Sequence, residues 1–555
     1  MNRNEKTIAI LLGIALVAYL GLQFRSRSQQ PSPSPVPAAQ RAVTAAPSVA
    51  PAAAPKPAPE LKAPEQTFRT LENGQVRLTF SSLGGRLVKA ELLQYKAENA
   101  EGAGNVTLEP GSLLNLSGRE MPFVPTAVEA LDAATLVFRG EANGLAFERR
   151  VTLEPEYALS VADSFTAEGS EARLPAYALH VGALSRTEDK NEVLSVDSLA
   201  AGESKPEYRE GKLAKVLGAR SAFLGCGTSS DPSGLPLRAV EPLAAPQAWL
   251  ALKNRFFAVV AMPEQALPAQ VEVSRTDNPR TLEVATAGGA FFYPEQTVRP
   301  GEPVVRRMRL YVGPKALSSL NAFGSHAGKV MEFGMFSWLC APLLWTLNLF
   351  HALIPNYGVA IILLTLLVRV LFWPLTHKST VSMRKMSVIQ PQIKELQKKF
   401  KDQPQKLQQE TFKLYREHHV NPLSSCLPML IQIPIFIALF TVLRSAVELR
   451  FASFLWIADL SQPENLLAGV LPVPLNILPI LTAVTMALQT HLSPSTGDPA
   501  QKKMMTWMMP IMLLFMFYSM PSALCLYWTV SQLLSIVQMW HIQRATAKET
   551  APAKA

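Results

Sequence analysis

Two periodicities divide the chain. From about Thr67 to Val312, apolar and polar residues alternate in short stretches such as Gln75–Phe80 (QVRLTF), Phe147–Leu153 (FERRVTL) and Ala158–Ala162 (ALSVA), broken by Gly, Pro, Asp and Asn. A period of two with frequent turn residues predicts a large all-β sandwich over 65–325. On either side the alternation gives way to long apolar runs. The first, Thr7–Phe24, is long enough to cross a bilayer at about 1.5 Å per residue. It ends in Gln23-Phe24-Arg25 without a small-x-small cleavage site, which predicts an uncleaved anchor at 1–25. Residues 26–64, rich in Pro, Ala, Ser and Gln, cannot bury a core and read as a tether.

After Ala327 the apolar runs return. Residues 328–355 hold several aromatic residues and Pro342, and read as an amphipathic helix lying in the membrane interface, with a break at the proline left open. Spans are expected at about 356–376, 427–447, 474–492, 505–520 and 522–541. With the anchor these give an α-helical polytopic membrane protein of six spans, five of them forming a core at 356–545, followed by a short tail at 546–555.

Charge sets the orientation. The loop at 378–420 carries Lys378, Arg384, Lys385, Lys394, Lys398, Lys399, Lys401, Lys406, Lys413 and Arg416, so it is expected on the cytoplasmic side. Counting spans from it puts both termini in the cytoplasm and 26–355 outside. Within the loop, Met386, Ile389, Ile393, Leu396 and Phe400 fall at 3-4-3-4 spacing, and Leu407, Thr411, Leu414 and His418 at 4-3-4. Two short antiparallel helices packed seam to seam fit this pattern, the regular hairpin starting at Pro391 and the residues before it continuing the preceding span at an angle. A solvated surface hairpin and a docking element both fit it.

The net charge of +10 is concentrated beside the spans and is read as topology, not as sequence-specific nucleic-acid binding. Cys226, Cys340, Cys426 and Cys525 are scattered with no CxxC, and the adjacent His418 and His419 point apart on a helix, so neither a disulfide framework nor a metal site is expected. No cofactor is implied: there is no GxxxxGK[ST] for nucleotide-driven work. The β region has a single histidine, His180, and neither GxSxG nor HExxH, so no enzymatic activity is expected.

Arg369 lies inside the otherwise apolar span 356–376, one turn after Thr365. A guanidinium in mid-bilayer costs about 2.5–3.5 kcal/mol on insertion scales, so it faces a wet cavity, a partner or a substrate, unless it snorkels to the headgroups. Gln432, Ser531 and Gln532 are further polar residues in spans, with Tyr527-Trp528 beside them. Each needs a partner in hydrocarbon, and turning them inward together with Arg369 would make a hydrophilic pocket, where ordinary interhelical hydrogen bonding is the plainer reading. Met504, Met508, Met512 and Met516 recur every four residues, an adaptable apolar surface for varied helices or plain packing.

Several motifs occur in order between about 330 and 545: Thr365–Val370 (TLLVRV), Trp373–Thr376 (WPLT), Gln390-Pro391, Val420–Leu423 (VNPL), Leu430–Phe436 (LIQIPIF), Val447–Arg450 (VELR), Pro521–Trp528 (PSALCLYW) and Val530-Ser531. Together they resemble the bacterial YidC family of membrane protein insertases (YidC/Oxa/Alb). Gly84-Gly85 and Leu310–Pro314 (LYVGP) resemble, more loosely, the periplasmic β-supersandwich of its Gram-negative members, a fold related to sugar mutarotases that carries no activity by analogy.

The resemblance implies a groove open to the cytoplasm and to lipid, lined by Arg369, Thr365, Gln432, Tyr527, Trp528 and Gln532, with Met504, Met508, Met512 and Met516 as a hydrophobic slide. This chain has Trp528 where a second tyrosine is often seen. The implied partners are nascent membrane proteins, components of the Sec translocon, membrane lipids, and a ribosome or targeting receptor at 378–420. The implied location is the bacterial inner membrane. The alternative, a polytopic solute transporter using the polar pocket, predicts internal repeats and matching broken spans, and neither is seen.

Overall fold

The computed structural model describes residues 66–118, 125–142, 144–185, 194–219, 234–278, 282–324, 326–401, 403–418, 427–468, 470, 474–492 and 504–549. The expected anchor, the tether, Val420–Leu423 and the tail from 550 lie outside the described residues.

The alternating region forms antiparallel sheets. In the eight-stranded sheet the order is Ser195–Ala200, Gln247–Lys253, Phe257–Pro263, Val304–Pro314, Ala158–Ala167, Leu145–Leu153, Thr135–Ala142, Pro125–Ala130. A five-stranded sheet that includes Ala269–Arg275, Val284–Tyr293 and Tyr177–Ser185 packs across it, and a four-stranded sheet runs from Phe68 to Leu108. Alternation survives as burial: Leu145, Phe147, Val151 and Leu153 point into the core, with their neighbours outward. Arg149 breaks that pattern. It stands opposite Asp163 on the adjacent strand and is wholly buried, bonded through Nε and Nη2 at 2.6 and 2.7 Å. Its Nη1 donates to Gly84 O and Leu114 O at 2.9 and 2.6 Å, both residues having positive φ. At Gly85, also at positive φ, a Cβ would lie 3.0 Å from the Phe138 ring. The glycine pair therefore brings backbone carbonyls onto a buried cation that stitches the sheets together.

Where the chain leaves the sheets, a second buried cluster fixes its path. Lys253 Nζ lies 2.6 Å from Asp197 and 2.7 Å from Glu332, and donates to Val330 O at 3.2 Å. It thereby grips the short helical turn Ala327–Met331. Lys315, also buried, donates to Asn254 O at 3.2 Å. Burial, then the Lys253 charge, push its amine down to about 7.

Seven helices beyond this turn are labelled here: α1 Ser337–Leu353, α2 Tyr357–Lys399, α3 Pro404–Glu417, α4 Leu427–Ser445, α5 Ile477–Leu492, α6 Met509–Phe517 and α7 Ser522–Glu549. Helix α1 is unbroken at Pro342, burying Cys340, Leu343, Leu344 and Leu347 and exposing Trp338 and Trp345. By length and composition Gly334–Leu353, Tyr357–Met383 and Ser522–Ile542 are long and apolar enough to cross a membrane. The other expected spans correspond to shorter apolar helices, Gln432–Ser445, Ile477–Leu492 and Thr506–Phe517.

Helix α2 departs from the sequence reading. It runs 43 residues through Pro374 and Pro391, so no separate helix begins at Pro391. Each proline removes only one ladder bond, and packing against α3 and α7 offsets that loss. Asn356 caps its start, accepting from Val359 N at 3.1 Å. The hairpin seam forms around Ile389 and Ile393 with Met386, Leu414 and Tyr415. His418 is not in it: α3 ends at Glu417, His418 is exposed, and Tyr415 takes the place on the seam.

Candidate functional site: a polar seam between α2, α4 and α7

Helices that are apolar on all sides give no sequence signal for which face turns inward, and the hydrogen bonds decide it. Arg369 on α2 is half-buried and donates twice to the Ser531 hydroxyl of α7, from Nε at 3.1 Å and from a terminal nitrogen at 2.5 Å. Among the described residues it pairs with no carboxylate. One turn earlier on α7, buried Tyr527 accepts from Gln432 Nε2 of α4 at 2.8 Å. Arg369, Ser531, Tyr527 and Gln432 thus form one polar group across three helices. Neutral hydroxyl and amide partners leave the guanidinium charge unneutralised, which suits it to meet an incoming anion.

The seam extends further along α7. Ser535 and Gln538 are buried, Gln538 Nε2 donates to Thr376 Oγ1 of α2 at 3.0 Å, and Thr529 meets Thr482 of α5 at 2.7 Å. Sequence reasoning turned Ser531 inward with Arg369 without counting it among the groove-lining residues, and left Ser535 and Gln538 out altogether. The spacing of Tyr527, Ser531 and Ser535, one polar residue per turn on one face, is the signal that finds them.

Other expected residues fall differently. Thr365 is fully buried one turn before Arg369, but its hydroxyl is bonded to Ile361 O of its own helix at 2.7 Å. Trp528 does not join the polar group; its ring packs against Phe436 and Phe517 with centroids at 4.9 and 5.4 Å. Successive residues on a helix point about 100° apart, so Tyr527 and Trp528 cannot both face Arg369. Gln532 is buried on α7, one position beyond Ser531. Met508, Met512 and Met516 are exposed together with Trp507, Ile511 and Phe515, so the stripe is part of a broad apolar surface; the Met504 side chain lies outside what is described.

In the β region, His180 Nε2 lies 2.8 Å from Ser117 Oγ, and its Nδ1 lies 3.9 Å from Glu272.

Two family models match the chain in order: the YidC periplasmic domain over residues 123–346 and the 60Kd inner membrane protein over 349–549. The membrane protein insertase YidC of Pelobacter propionicus is 41% identical over 299 residues, 53% of this chain and 54% of that protein. The chain thus spans about half the length of this relative. The membrane protein insertase YidC of Geotalea daltonii is 32% identical over 474 residues, 84% of each chain. A solved structure of an active YidC insertase with its first transmembrane domain resolved is 19% identical, covering 85% of this chain and 92% of that one, with a TM-score of 0.35. With a relative above 30% identity matched over most of its length, this chain belongs to the YidC family of membrane protein insertases.

Proposed function

We propose that the protein inserts nascent membrane proteins into the bacterial inner membrane, receiving the polar flank of a hydrophobic segment in a groove lined by Arg369, Ser531, Tyr527, Gln432, Thr365 and Gln532. The observation that carries this reading is the Arg369 cation, held among apolar helices by a serine hydroxyl with no carboxylate among the described residues. Such a charge is costly unless water or a passing acidic group solvates it. The groove gives an entering acidic tail a favourable site part-way across, and the substrate's apolar helix then moves sideways into lipid, over the exposed surface of Met508, Met512 and Met516. The driving force is burial, about 0.8 kcal/mol per CH₂, and the membrane potential, about 2.3 kcal/mol per charge per 100 mV. No covalent step is required.

In this reading the chain comprises an anchor at 1–25, a tether at 26–64, an outer β domain at 65–325, an interfacial helix at 328–355, and a core at 356–545 whose five helices cross the membrane. Both termini and the hairpin 378–420 are cytoplasmic, and the hairpin meets the ribosome or a targeting receptor. The core works alone or beside the Sec translocon. The basic loop and the adaptable apolar surface of α6 support these assignments.

The test is insertion into vesicles of a substrate series whose translocated tails carry zero, one or two acidic residues. Arg369→Ala is expected to slow the acidic-tailed members by roughly 5–30-fold, the equivalent of about 1–2 kcal/mol for a charge-assisted contact in a wet groove, and Arg369→Lys less. Equal slowing of all tails would refute the electrostatic role.

A further inference from the structure

The segment Val447–Asn476, between α4 and α5, is a strap across the outer end of the helices. Its middle is buried: Ile457, Leu460 and Ser461 are almost wholly covered. The carbonyls of Leu460 and Gln462 accept the N–H groups of Ala523 and Ser522 at 2.9 Å each, satisfying the first donors of α7. From the other side Arg255 of the β domain donates to Ser461 O at 2.6 Å, and Asn99 to Ala458 O at 3.1 Å.

At each end of this buried middle an apolar tip points outward. Phe454 and Ile457 exchange backbone hydrogen bonds, leaving Leu455 and Trp456 at the head of a two-residue turn. Leu455 has φ +53° at a position where such turns favour glycine, yet it is a leucine and 75% exposed. The second tip holds Leu467, at φ +57° and 56% exposed, and Val470, 77% exposed. A leucine in the left-handed region is strained, and a bare one in water gains nothing in return.

The surroundings identify what covers the tips. Phe454 packs on Gly358 at the start of α2, next to the exposed Leu353 and Ile354 that end α1. Leu466 pairs with Leu475, two residues before α5, whose exposed face is the apolar stripe Ile477, Ile480, Leu481, Val484 and Leu488. The Trp456 indole donates to Glu464 at 2.7 Å while its ring stays partly exposed, an amphipathic arrangement suited to the headgroup level. Residues 451–476 contain no lysine or arginine, and Asp459 and Glu464 are occupied by the backbone N–H groups of Ser461 and Leu478. We infer that the strap stands in the outer leaflet of the bilayer on two apolar feet, Leu455-Trp456 and Leu467 with Val470, and through its buried middle fixes the outer end of α7. The inference rests on the reading of α2, α4, α5 and α7 as membrane-spanning.

The test uses spin labels on cysteines introduced one at a time at Leu455, Leu467, Val470, Val484 and Ser170 in the full-length chain. Cys226 and Cys426 are replaced by serine, and a chain without added cysteine gives the background. The protein is held in nanodiscs of phosphatidylcholine, and collision with lipid-soluble oxygen is compared with collision with an aqueous nickel chelate. Labels at 455, 467 and 470 are expected to favour oxygen, as does Val484, while Ser170 in the β domain favours nickel. Adding anionic lipid should leave the depths unchanged. Water-like values at 455 and 467 with a lipid-like value at Val484 would overturn the strap inference alone, and a water-like Val484 would overturn the spanning reading and the inference with it. Shielding of the feet from both reagents would point to protein contact and overturn it too. Exchanging both leucines for glycine (L455G/L467G) relieves the backbone while removing the feet. It is expected to leave the melting temperature unchanged or higher and to move a label at 470 toward water; an unmoved label would refute the role of the leucines.

Discussion

Asp163→Asn strands the guanidinium of Arg149 in the middle of the β domain. Both side chains are essentially inaccessible, with two contacts at 2.6 and 2.7 Å. Removing one partner of such a pair leaves an uncompensated buried charge and costs about 3–5 kcal/mol, against about 0–1 kcal/mol for the exposed pairs elsewhere on these sheets. Replacing both residues, as R149M/D163L, removes the charge altogether. It still leaves Gly84 O and Leu114 O without their donor, at a cost of about 1–3 kcal/mol for each. The double variant is therefore expected to be less destabilised than the sum of the two single variants, Asp163→Asn and Arg149→Met, each of which leaves one buried charge unpaired. Hydrogen exchange of the strand Ala158–Ala167 in the full chain reads this directly: at tenfold per 1.4 kcal/mol, exchange limited by opening of the domain should quicken by roughly two to three and a half orders of magnitude in Asp163→Asn. A change below fivefold, or a double variant equal to the sum of the two singles, would refute the account of Arg149 as a buried charge dependent on its partner.

Lys315 makes stability depend on pH in an unusual direction. Its folded amine titrates at about 7, below the ordinary 10.5. Below pH 7 both states are protonated and the folded chain holds a buried cation; as pH rises above 7 the folded amine is neutral, the unfolded one still charged, and stability increases. Lys315→Met is thus expected to stabilise the β domain most at pH 6, the advantage shrinking by roughly 2.5–3 kcal/mol at pH 9; a flat or opposite trend in denaturant unfolding would contradict it. Ser531→Ala removes the hydroxyl that accepts from Arg369 without touching the charge of the guanidinium. It should slow insertion of acidic-tailed substrates by less than Arg369→Ala does, and Ser531→Thr should restore the rate; an effect larger than that of Arg369→Ala would mean that Ser531 acts in some other way.

Much of this architecture can be read from patterning. The alternation at Val76–Phe80, Phe147–Leu153 and Ala158–Ala162 lies on strands, and the apolar runs after 356 lie mostly on helices. Arg369 was legible because a lone cation in an apolar run has few explanations. Its partner was not, because several hydroxyls and amides on α7 were equally available and only the rotation of that helix chooses Ser531 over Gln532. The same rotation sends Trp528 into the ring cluster with Phe436 and Phe517, although it adjoins Tyr527 in sequence. Helix α2 ran on through Pro391 because local propensity lost to packing on both sides, and His418 left the hairpin seam because α3 stops one residue short of it. The Arg149 stitch was hidden for a different reason: a charged residue within an alternating strand reads as outward-facing unless its neighbour across the sheet is known.

In the proposed mechanism, substrate passes through the polar seam between α2, α4 and α7. Photocrosslinkers placed singly at Gln432, Ser531 and Met512, with Ser170 as the control, report on it when a ribosome-stalled nascent chain bearing one hydrophobic segment is presented to the full-length protein in membranes. Adducts to the nascent chain are expected from Gln432 and Ser531 while its polar flank is short of the outer side, and from Met512 as the apolar segment leaves. Adducts no more abundant at these positions than at Ser170 would contradict the account.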